Sequence, residues 1–356
     1  MDISKKTIIY QRIKRQGFVS KLEDVSDIKA YVDLFRLLQP VSPIFFTRPG
    51  DPPRLVHRTL YNDSIIASEL RKKHKIVKGR FNGGRVGYVF YEDLETYART
   101  FKKPISQLNY IQEEIIKYVQ STGGVMKEQI KEDLSFLGNK ISPNLKRLQE
   151  AFILYEDQID TEWDTGWFNF SSEWFELDEN NELDQNAVKR VIHNFIKVFF
   201  FSTYKQIQSW SALKEKTIKV ALKDLCAEGI IMEASCDGES GYICPEDIDC
   251  NDEDIPSFVV MLDKSDFFIR AYMDELKDKY KGKEILQYLL INGEIKGAIE
   301  GKWRIGPHNI EDVLLDLSEQ EAGNRKEEII EAIRAYYKED YSKILKYNSK
   351  TFVNNN

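Results

Sequence analysis

The sequence predicts an α+β protein, mainly helical, built from tandem winged helix-turn-helix units that precede a small C-terminal β domain with a closing helix. Three observations support this class. Helical stretches followed by a strand–turn–strand pattern occur three times, with starts about 75 residues apart. Residues 284–317 alternate apolar and polar side chains, as the strands of a meander do. Residues 324–347 have the apolar spacing of an amphipathic helix.

The first unit contains the clearest hairpin signal. Residues 64–74 read as a helix for which Ser64 is the predicted N-cap. Alternating β-formers then flank Asn82-Gly83-Gly84, whose residues tolerate the positive φ of a tight hairpin turn. A helix that leads directly into a two-stranded ribbon is typical of the end of a winged helix-turn-helix.

The other two units repeat this order of elements. In the second, we predict helices at 110–124, 126–138 and 142–154, with Ser142 as the last N-cap and Pro143 at position N1, and then a hairpin turning at Asp164-Thr165-Gly166. In the third, we predict helices at 184–200, 203–211 (capped by Thr203) and 213–229, and then a hairpin around an Asp-Gly turn.

The pattern changes after residue 257. A strand and a helix are followed by a meander with turns at Asn292-Gly293 and Glu300-Gly301, and by the closing helix. The predicted domains are 1–104 (unit one with N-terminal helices and a Pro-rich loop), 105–183 (unit two), 184–256 (unit three) and 257–356 (β domain and closing helix).

Composition limits the protein class. Hydrophobic residues make up 42% and charged residues 31% of the 356 positions, as in a soluble protein with a core. No run of 18 apolar residues exists, and the N-terminal stretch lacks a secretory h-region. The four cysteines lie between 226 and 250 without a C-x2-C pair, which favours reduced thiols over a metal site. We expect a cytoplasmic, nucleoid-associated protein that binds neither a membrane nor a metal ion.

Charge is distributed unevenly along the chain. The net charge is −7, yet residues 1–91 contain 18 Lys and Arg against 8 Asp and Glu. A cationic region on an acidic protein favours an anion-binding face, with nucleic acid as the first candidate partner. A solvated basic surface is the alternative.

The predicted DNA contacts come from all three units. Unit two and unit three also carry lysines near their third helices, but their hairpins are acidic and are expected to face away from phosphate or to pack elsewhere. The predicted contact residues are His57, Arg58, Arg71, Lys72, Lys73, Lys75, Lys78, Arg80, Arg85, Lys140, Lys146, Arg147, Lys214, Lys216 and Lys219.

Four stretches resemble the AlkZ-like winged-helix family of bacterial DNA glycosylases. FSTYKQIQSWSAL (201–213) is similar to the family's Thr-capped helix ending in Trp-Ser-Gly, and VVMLDKSDFFIRAY (259–272) to its Leu-Leu-Pro-x-x-Asp segment. INGEIKGAIEGKWR (291–304) resembles its C-terminal strand–Gly–strand element. RLLQPVSPIFFTRPGDPPRLVHR (36–58) lies where family members carry a glutamine motif.

The resemblance implies a specific activity. Active members of the family hydrolyse the N-glycosidic bond of alkylated or crosslinked bases in duplex DNA, without a metal or an organic cofactor. Catalysis there relies on a Gln-x-Gln motif that positions the attacking water. Gln39 matches the first glutamine, but Val41 stands at the second and cannot hydrogen-bond a water. Gln39 is therefore either catalytic or a loop glutamine with a structural role.

Other polar residues near the motif have competing interpretations. His57 and His74 are candidates for phosphate contact, water positioning or packing. Asp51 and Asp63 could assist water attack, although Asp51 stands before two prolines and fits a turn better. No nucleotide-binding loop or nucleophile elbow occurs in the sequence.

Three functions fit the sequence. The first is a monomeric double-stranded DNA-binding protein of the AlkZ-like type that repairs alkylated bases by N-glycosidic hydrolysis and needs no cofactor. The second is a non-catalytic winged-helix DNA-binding or transcription-regulatory protein on the same scaffold. A protein-interaction module is the third, and it predicts no salt-sensitive DNA binding.

Overall fold

The computed structural model describes residues 1–44, 52–158, 165–174, 184–303 and 309–352. Helices and strands are mixed along the chain, so the predicted α+β class is confirmed. Within the described residues, no helix has the length and apolar content needed to cross a membrane.

The N-terminal stretch contains four helices and one ribbon: α1 (Lys5–Arg15), α2 (Ile28–Leu38), α3 (Ser64–Lys72), β1 (Ile76–Phe81), β2 (Arg85–Phe90) and α4 (Tyr91–Phe101). The predicted hairpin is confirmed, with Arg80 opposite Val86, and a backbone bridge between Val41 and Tyr88 adds a third segment to the ribbon. Two details of the prediction are wrong. Ser64 is the first helical residue rather than the cap, and α3 ends before His74, whose φ is +52°.

The second stretch contains α5 (Tyr110–Thr122), β3 (Val125–Met126), α6 (Lys127–Asp133), a 3₁₀ segment (Ser135–Lys140), α7 (Ile141–Glu150), β4 (Leu154–Gln158), β5 (Thr165–Asn169) and α8 (Phe170–Glu173). The strand order is β3-β5-β4. Ser142 and Pro143 are not a cap and N1, because α7 begins at Ile141. Thr165 and Gly166 belong to β5, where they pair with β4, so the turn prediction there is wrong; Asp164 lies outside the described residues.

The third stretch contains α9 (Gln185–Phe199), β6 (Phe201–Ser202), α10 (Tyr204–Ser211), α11 (Glu215–Ala227), β7 (Met232–Cys236) and β8 (Glu239–Ile243), with strand order β6-β8-β7. The Thr203 cap is confirmed, since its side chain accepts the Gln206 N–H and Gln206 returns a bond to the Thr203 N–H. The Asp237-Gly238 turn is also confirmed, with both residues at positive φ.

The C-terminal part contains β9 (Val259–Asp263), α12 (Phe267–Ala271), α13 (Met273–Lys279), β10 (Ile285–Ile291), β11 (Glu294–Glu300), β12 (Asp312–Leu315), α14 (Glu319–Asn324), α15 (Lys326–Arg334), β13 (Lys346–Tyr347) and β14 (Lys350–Thr351). Its six strands are ordered β14-β13-β12-β11-β10-β9. The Asn292-Gly293 turn is confirmed. The helix predicted to reach residue 347 ends at Arg334, because the chain beyond it pairs Tyr347 with Val313 and extends the sheet.

The largest hydrophobic core joins the three helical stretches. It contains Phe35 and Phe81 from the first, Phe170 from the second, and Phe195 from the third, together with Phe267 of α12. Burial of apolar area at these junctions stabilises their arrangement in the fold. The domain boundaries at 104, 183 and 256 stay a prediction.

Candidate functional site

Gln39 lies at the C-terminal end of α2 and is 3% exposed. Its Oε1 accepts the Phe90 N–H at 2.9 Å, and its Nε2 donates to Asp93 Oδ2 at 2.8 Å. The Tyr97 hydroxyl donates to the Gln39 carbonyl oxygen at 3.2 Å. The amide therefore joins the end of α2 to the first turn of α4, and both of its polar ends have protein partners.

Asp93 is the central carboxylate of this region. Arg36 approaches it with two N–H groups, each 2.8 Å from a carboxylate oxygen. Because Gln39 also donates to it, three of the roughly four acceptor positions of the carboxylate are used. About a quarter of the Asp93 side chain is exposed.

A pocket of about 480 Å³ opens over Gln39 and Asp93, between α2, α4 and α9. This volume falls within the range of roughly 300–1,000 Å³ that is usual for ligand pockets. The exposed Arg190 of α9 also lines it, and Asn194 donates from α9 to the Leu37 carbonyl at 3.3 Å. Asp93 was not among the sequence candidates. Its position after Glu92 in a helical first turn resembles ordinary N-terminal helix charges, so no sequence signal pointed to the pocket.

Val41, at the position of the second motif glutamine, belongs to a different cavity. This cavity measures about 30 Å³ and is lined by Val41 and by Arg58 and Asp266. Such a volume holds a water molecule, for which about 10–15 Å³ suffices, but lies far below that of a ligand pocket. Gln39 and Val41 are therefore not a pair of groups around one water.

Arg58 and His57 contact protein groups. Arg58 is buried, donates to both carboxylate oxygens of Asp266 at 2.7 and 3.0 Å, and lies over the Phe18 ring. His57 Nε2 bonds to the Met261 carbonyl oxygen at 2.8 Å. Burial lowers the pKa of His57 to about 4, so the ring is neutral near pH 7. The predicted phosphate contacts at these two positions do not match this geometry.

Asp63 has a structural role in the same region. Its carboxylate accepts bonds from Arg54 at 2.8 Å, from the Leu55 N–H at 2.7 Å and from the Tyr31 hydroxyl at 3.0 Å. These bonds explain why it does not cap α3, although it occupies the N-cap position. A water-activating role for Asp63 therefore does not fit, and Asp51 lies outside the described residues.

The β1–β2 ribbon is packed inside the protein. Lys78 Nζ pairs with Glu156 at 2.9 Å, and Arg80 donates to Gln149 at 2.6 Å. Arg71 is buried, and at the turn Asn82 donates to the Trp210 carbonyl at 3.1 Å. The prediction of a DNA-facing ribbon is thus corrected for these cations, because Lys78 bonds to acidic β4, Arg80 bonds to α7 and Arg71 is buried.

Other predicted contact residues lie on the surface. Arg147 is partly exposed and donates to the carbonyls of Lys103 and Pro104 at 2.8 Å, and Arg85 is half-buried. The remaining predicted contacts are exposed: Lys72, Lys73, Lys75, Lys140, Lys146, Lys214, Lys216 and Lys219.

Helix α11 presents a basic face. Lys216, Lys219 and Lys223 recur at helical spacing around Val220, which is 40% exposed. Lys219 pairs with Glu215 at 2.5 Å. Lys223 was not selected from the sequence, although its spacing of seven from Lys216 would have identified it.

The candidate metal ligands and the four cysteines are considered together for the described part of the molecule, residues 1–44, 52–158, 165–174, 184–303 and 309–352. No group of three or more His, Cys, Asp or Glu side chains in those ranges is placed to hold a metal ion. The four cysteines are free thiols, and burial raises the pKa of the Cys244 thiol to about 12.

The fold is similar to that of a solved DNA glycosylase. The structure is similar to the DNA glycosylase AlkZ of Streptomyces sahachiroi, with a TM-score of 0.68 over 97% of this chain and 99% of that chain. Sequence identity over the match is 11%, so the similarity is one of fold. No protein-family model matches the chain, and no curated protein does.

Proposed function

We propose that this protein binds duplex DNA as a monomer and hydrolyses the N-glycosidic bond of alkylated bases. The observation that carries the proposal is the end-to-end similarity of its fold to a DNA glycosylase. Fold alone does not establish activity, so the surface and the pocket must supply the chemistry.

The arrangement of elements supports tandem winged helices. The second and third stretches both run helix, strand, helix, helix, strand, strand, with the short strand pairing with the last one. In the first stretch, Val41 takes the place of the short strand. It precedes α3 and the ribbon in sequence, and it forms a backbone bridge to β2. In this interpretation α3, α7 and α11 are the third helices of the three units, and the domains divide at 104, 183 and 256.

Exposed lysines on or beside α3, α7 and α11 would contact phosphate. Lys72, Lys146 and Lys216 represent the three helices, and their side chains lie in solvent. Phosphate contacts carry little sequence information and release counterions, so binding is expected to be general in sequence and steeply salt-dependent.

The Gln39 pocket offers a place for hydrolysis. An alkylated purine carries a positive charge that assists its own departure, so a single carboxylate is enough to activate water. Asp93 lines the pocket and has one acceptor position that none of its three donors uses, and it would take the water proton as the water oxygen bonds to C1′ and the base leaves. Gln39 would hold the carboxylate in place. The reaction consumes only water and needs no cofactor.

The test uses duplexes that contain 7-methylguanine. Wild-type protein should release the base and leave abasic sites, Asp93→Asn should lose at least about 100-fold in rate, and Gln39→Ala should lose less. Glu92→Gln is the matched control, since it removes the neighbouring exposed carboxylate in the same helical turn.

A second candidate function is non-catalytic DNA binding. Val41 in place of the second glutamine favours it, as do the bonds that both polar ends of the Gln39 amide make to Phe90 and Asp93. Intact salt-dependent DNA binding without release of any cationic adduct would select this candidate. Absence of DNA binding would reject both.

A further inference from the structure

The pocket over Gln39 contains a cation that no protein group neutralises in the described part of the chain. The charged side chains that line the pocket are Asp33, Arg36, Asp93 and Arg190. Arg36 pairs with Asp93 through two bonds of 2.8 Å, and Asp33 pairs with Lys29, one turn earlier in α2. Arg190 is exposed, and among the described residues it forms neither an ion pair nor a hydrogen bond.

Helix α9 fixes the position of Arg190 in the wall of this pocket. Asn194 follows it by four residues and therefore lies on the same face of the helix. The Asn194 amide donates to the Leu37 carbonyl oxygen at 3.3 Å, and Val191 is buried, so α9 is attached to the end of α2 at this point. The backbone of Arg190 is thus held in place, while its side chain is open to solvent.

The balance of charge in the pocket favours an anionic ligand. Lys29, Arg36 and Arg190 are three cations against the two carboxylates of Asp33 and Asp93, which leaves a net charge of +1. A guanidinium stays protonated at physiological pH, and its paired N–H donors match the oxygens of a phosphate. The open space of about 480 Å³ lets a ligand reach Arg190 without breaking an ion pair of the protein.

We propose that Arg190 binds the backbone phosphate next to the target nucleotide. The inference rests on the proposed function, because it places the target sugar in the same pocket. The phosphate that flanks a nucleotide is joined to its sugar, so holding this phosphate restricts where C1′ lies relative to Asp93. The substrate class is then a nucleotide within a strand rather than a free nucleoside. A free nucleotide has the same phosphate chemistry and is the other source.

The first arm of the test uses duplex DNA with 7-methylguanine and removes the charge on either side of the contact. A neutral methylphosphonate replaces the phosphate on the 5′ or the 3′ side of the lesion, and Arg190→Gln removes the guanidinium. Either change alone should lower kcat/KM for base release about tenfold. For one of the two phosphates, both changes together should lower it little further, because they remove the same contact.

Lys197→Gln is the matched control for this arm. Lys197 lies on α9, is exposed like Arg190, and is not among the residues that line the pocket. The control should respond to the methylphosphonate as wild-type protein does.

The second arm needs neither duplex DNA nor catalysis. Isothermal titration calorimetry compares 7-methylguanosine 5′-monophosphate with 7-methylguanosine, which lacks the phosphate. Wild-type protein and Lys197→Gln should bind the nucleotide at least about five times more tightly than the nucleoside, and Arg190→Gln should lose this preference.

The two arms separate this inference from the proposed function. If the duplex is bound but no base is released, the first arm is read from affinity; hydrolysis then fails, and a loss shared by the two changes still supports the contact. If no duplex is bound but the nucleotide preference depends on Arg190, the site stands for a free nucleotide. Additive or absent losses in the duplex, together with a nucleotide preference that is absent or independent of Arg190, would overturn the site.

Discussion

The β1–β2 ribbon and helix α11 carry similar charges in the sequence but have opposite surroundings in the structure. Lys78 and Arg80 of the ribbon point to Glu156 and Gln149 of the second stretch. The lysines of α11 lie in solvent, and among the described residues Lys219 is the one that forms an ion pair, with Glu215 of its own helix. A cationic segment can therefore either pair with acids that are distant in sequence or face solvent, where it can bind a ligand. The composition of the segment does not distinguish these two roles.

The acidic strand β4 explains the difference. Glu156 and Asp157 lie beside Lys78 and His74, so the charge excess of the N-terminal third is partly cancelled inside the protein. Burial raises the pKa of Glu156, but the charge and hydrogen bond of Lys78 outweigh it and leave that pKa below its usual value. Of the acids of this hairpin, Glu156 and Asp157 in the described strand β4 lie against Lys78 and His74.

The largest expected effect is a loss of stability when the buried ion pair between Lys78 and Glu156 is broken. Lys78→Met should lower the free energy of unfolding by about 3 kcal/mol, because it leaves the Glu156 carboxylate, 20% exposed, without its cation. Urea unfolding measures this change. The double variant Lys78→Met/Glu156→Leu should recover most of the loss, and no recovery would show that Lys78 acts through packing alone.

The buried His57 is expected to make the stability of the protein depend on pH. The folded pKa of His57 lies near 4, below its unfolded value near 6.5, so the unfolded state binds more protons between these values. The contribution of His57 to the free energy of unfolding should be fully present above pH 6.5. The free energy of unfolding should then fall by up to about 3 kcal/mol as the pH decreases to 4. His57→Gln should flatten this part of the profile.

The outward-facing helix should affect DNA rather than stability. Lys216→Ala/Lys223→Ala is expected to weaken duplex binding roughly tenfold near physiological salt and to lower the salt slope by nearly two. Fluorescence anisotropy with labelled duplexes checks this. The exposed C-terminal pair Lys338→Ala/Lys346→Ala removes the same charge and should weaken duplex binding less. Equal losses of affinity in the two double variants would show that α11 acts only through the net charge of the protein.

The smallest effect is expected for the exposed ion pair on α11. Lys219→Ala should leave the free energy of unfolding nearly unchanged, since solvent screens its contact with Glu215. Urea unfolding beside Lys78→Met gives the direct comparison. A loss of stability as large as that of Lys78→Met would contradict the distinction between the buried cations of the ribbon and the exposed lysines of α11.

Local sequence rules predicted the elements whose causes are local. The Asn82-Gly83-Gly84 and Asn292-Gly293 turns need positive φ, and the Thr203 cap needs only residues within one helical turn. The predicted ends of helices were wrong where groups distant in sequence bond to the residues at those ends. Asp63 gives its oxygens to Arg54 and Tyr31 instead of capping α3, and the strand pairing at Tyr347 ends the last helical run early.

The sequence by itself determined the α+β class, the recurring order of helices and hairpins, and the absence of a second motif glutamine at Val41, because these depend on residue type and spacing. Only the tertiary structure decided which charges face solvent. It brought Glu156 to Lys78 and Asp93 to Gln39, both across more than 50 positions of chain. Coulomb energy and desolvation depend on distance and burial in space, and neither quantity is encoded in any short stretch of sequence.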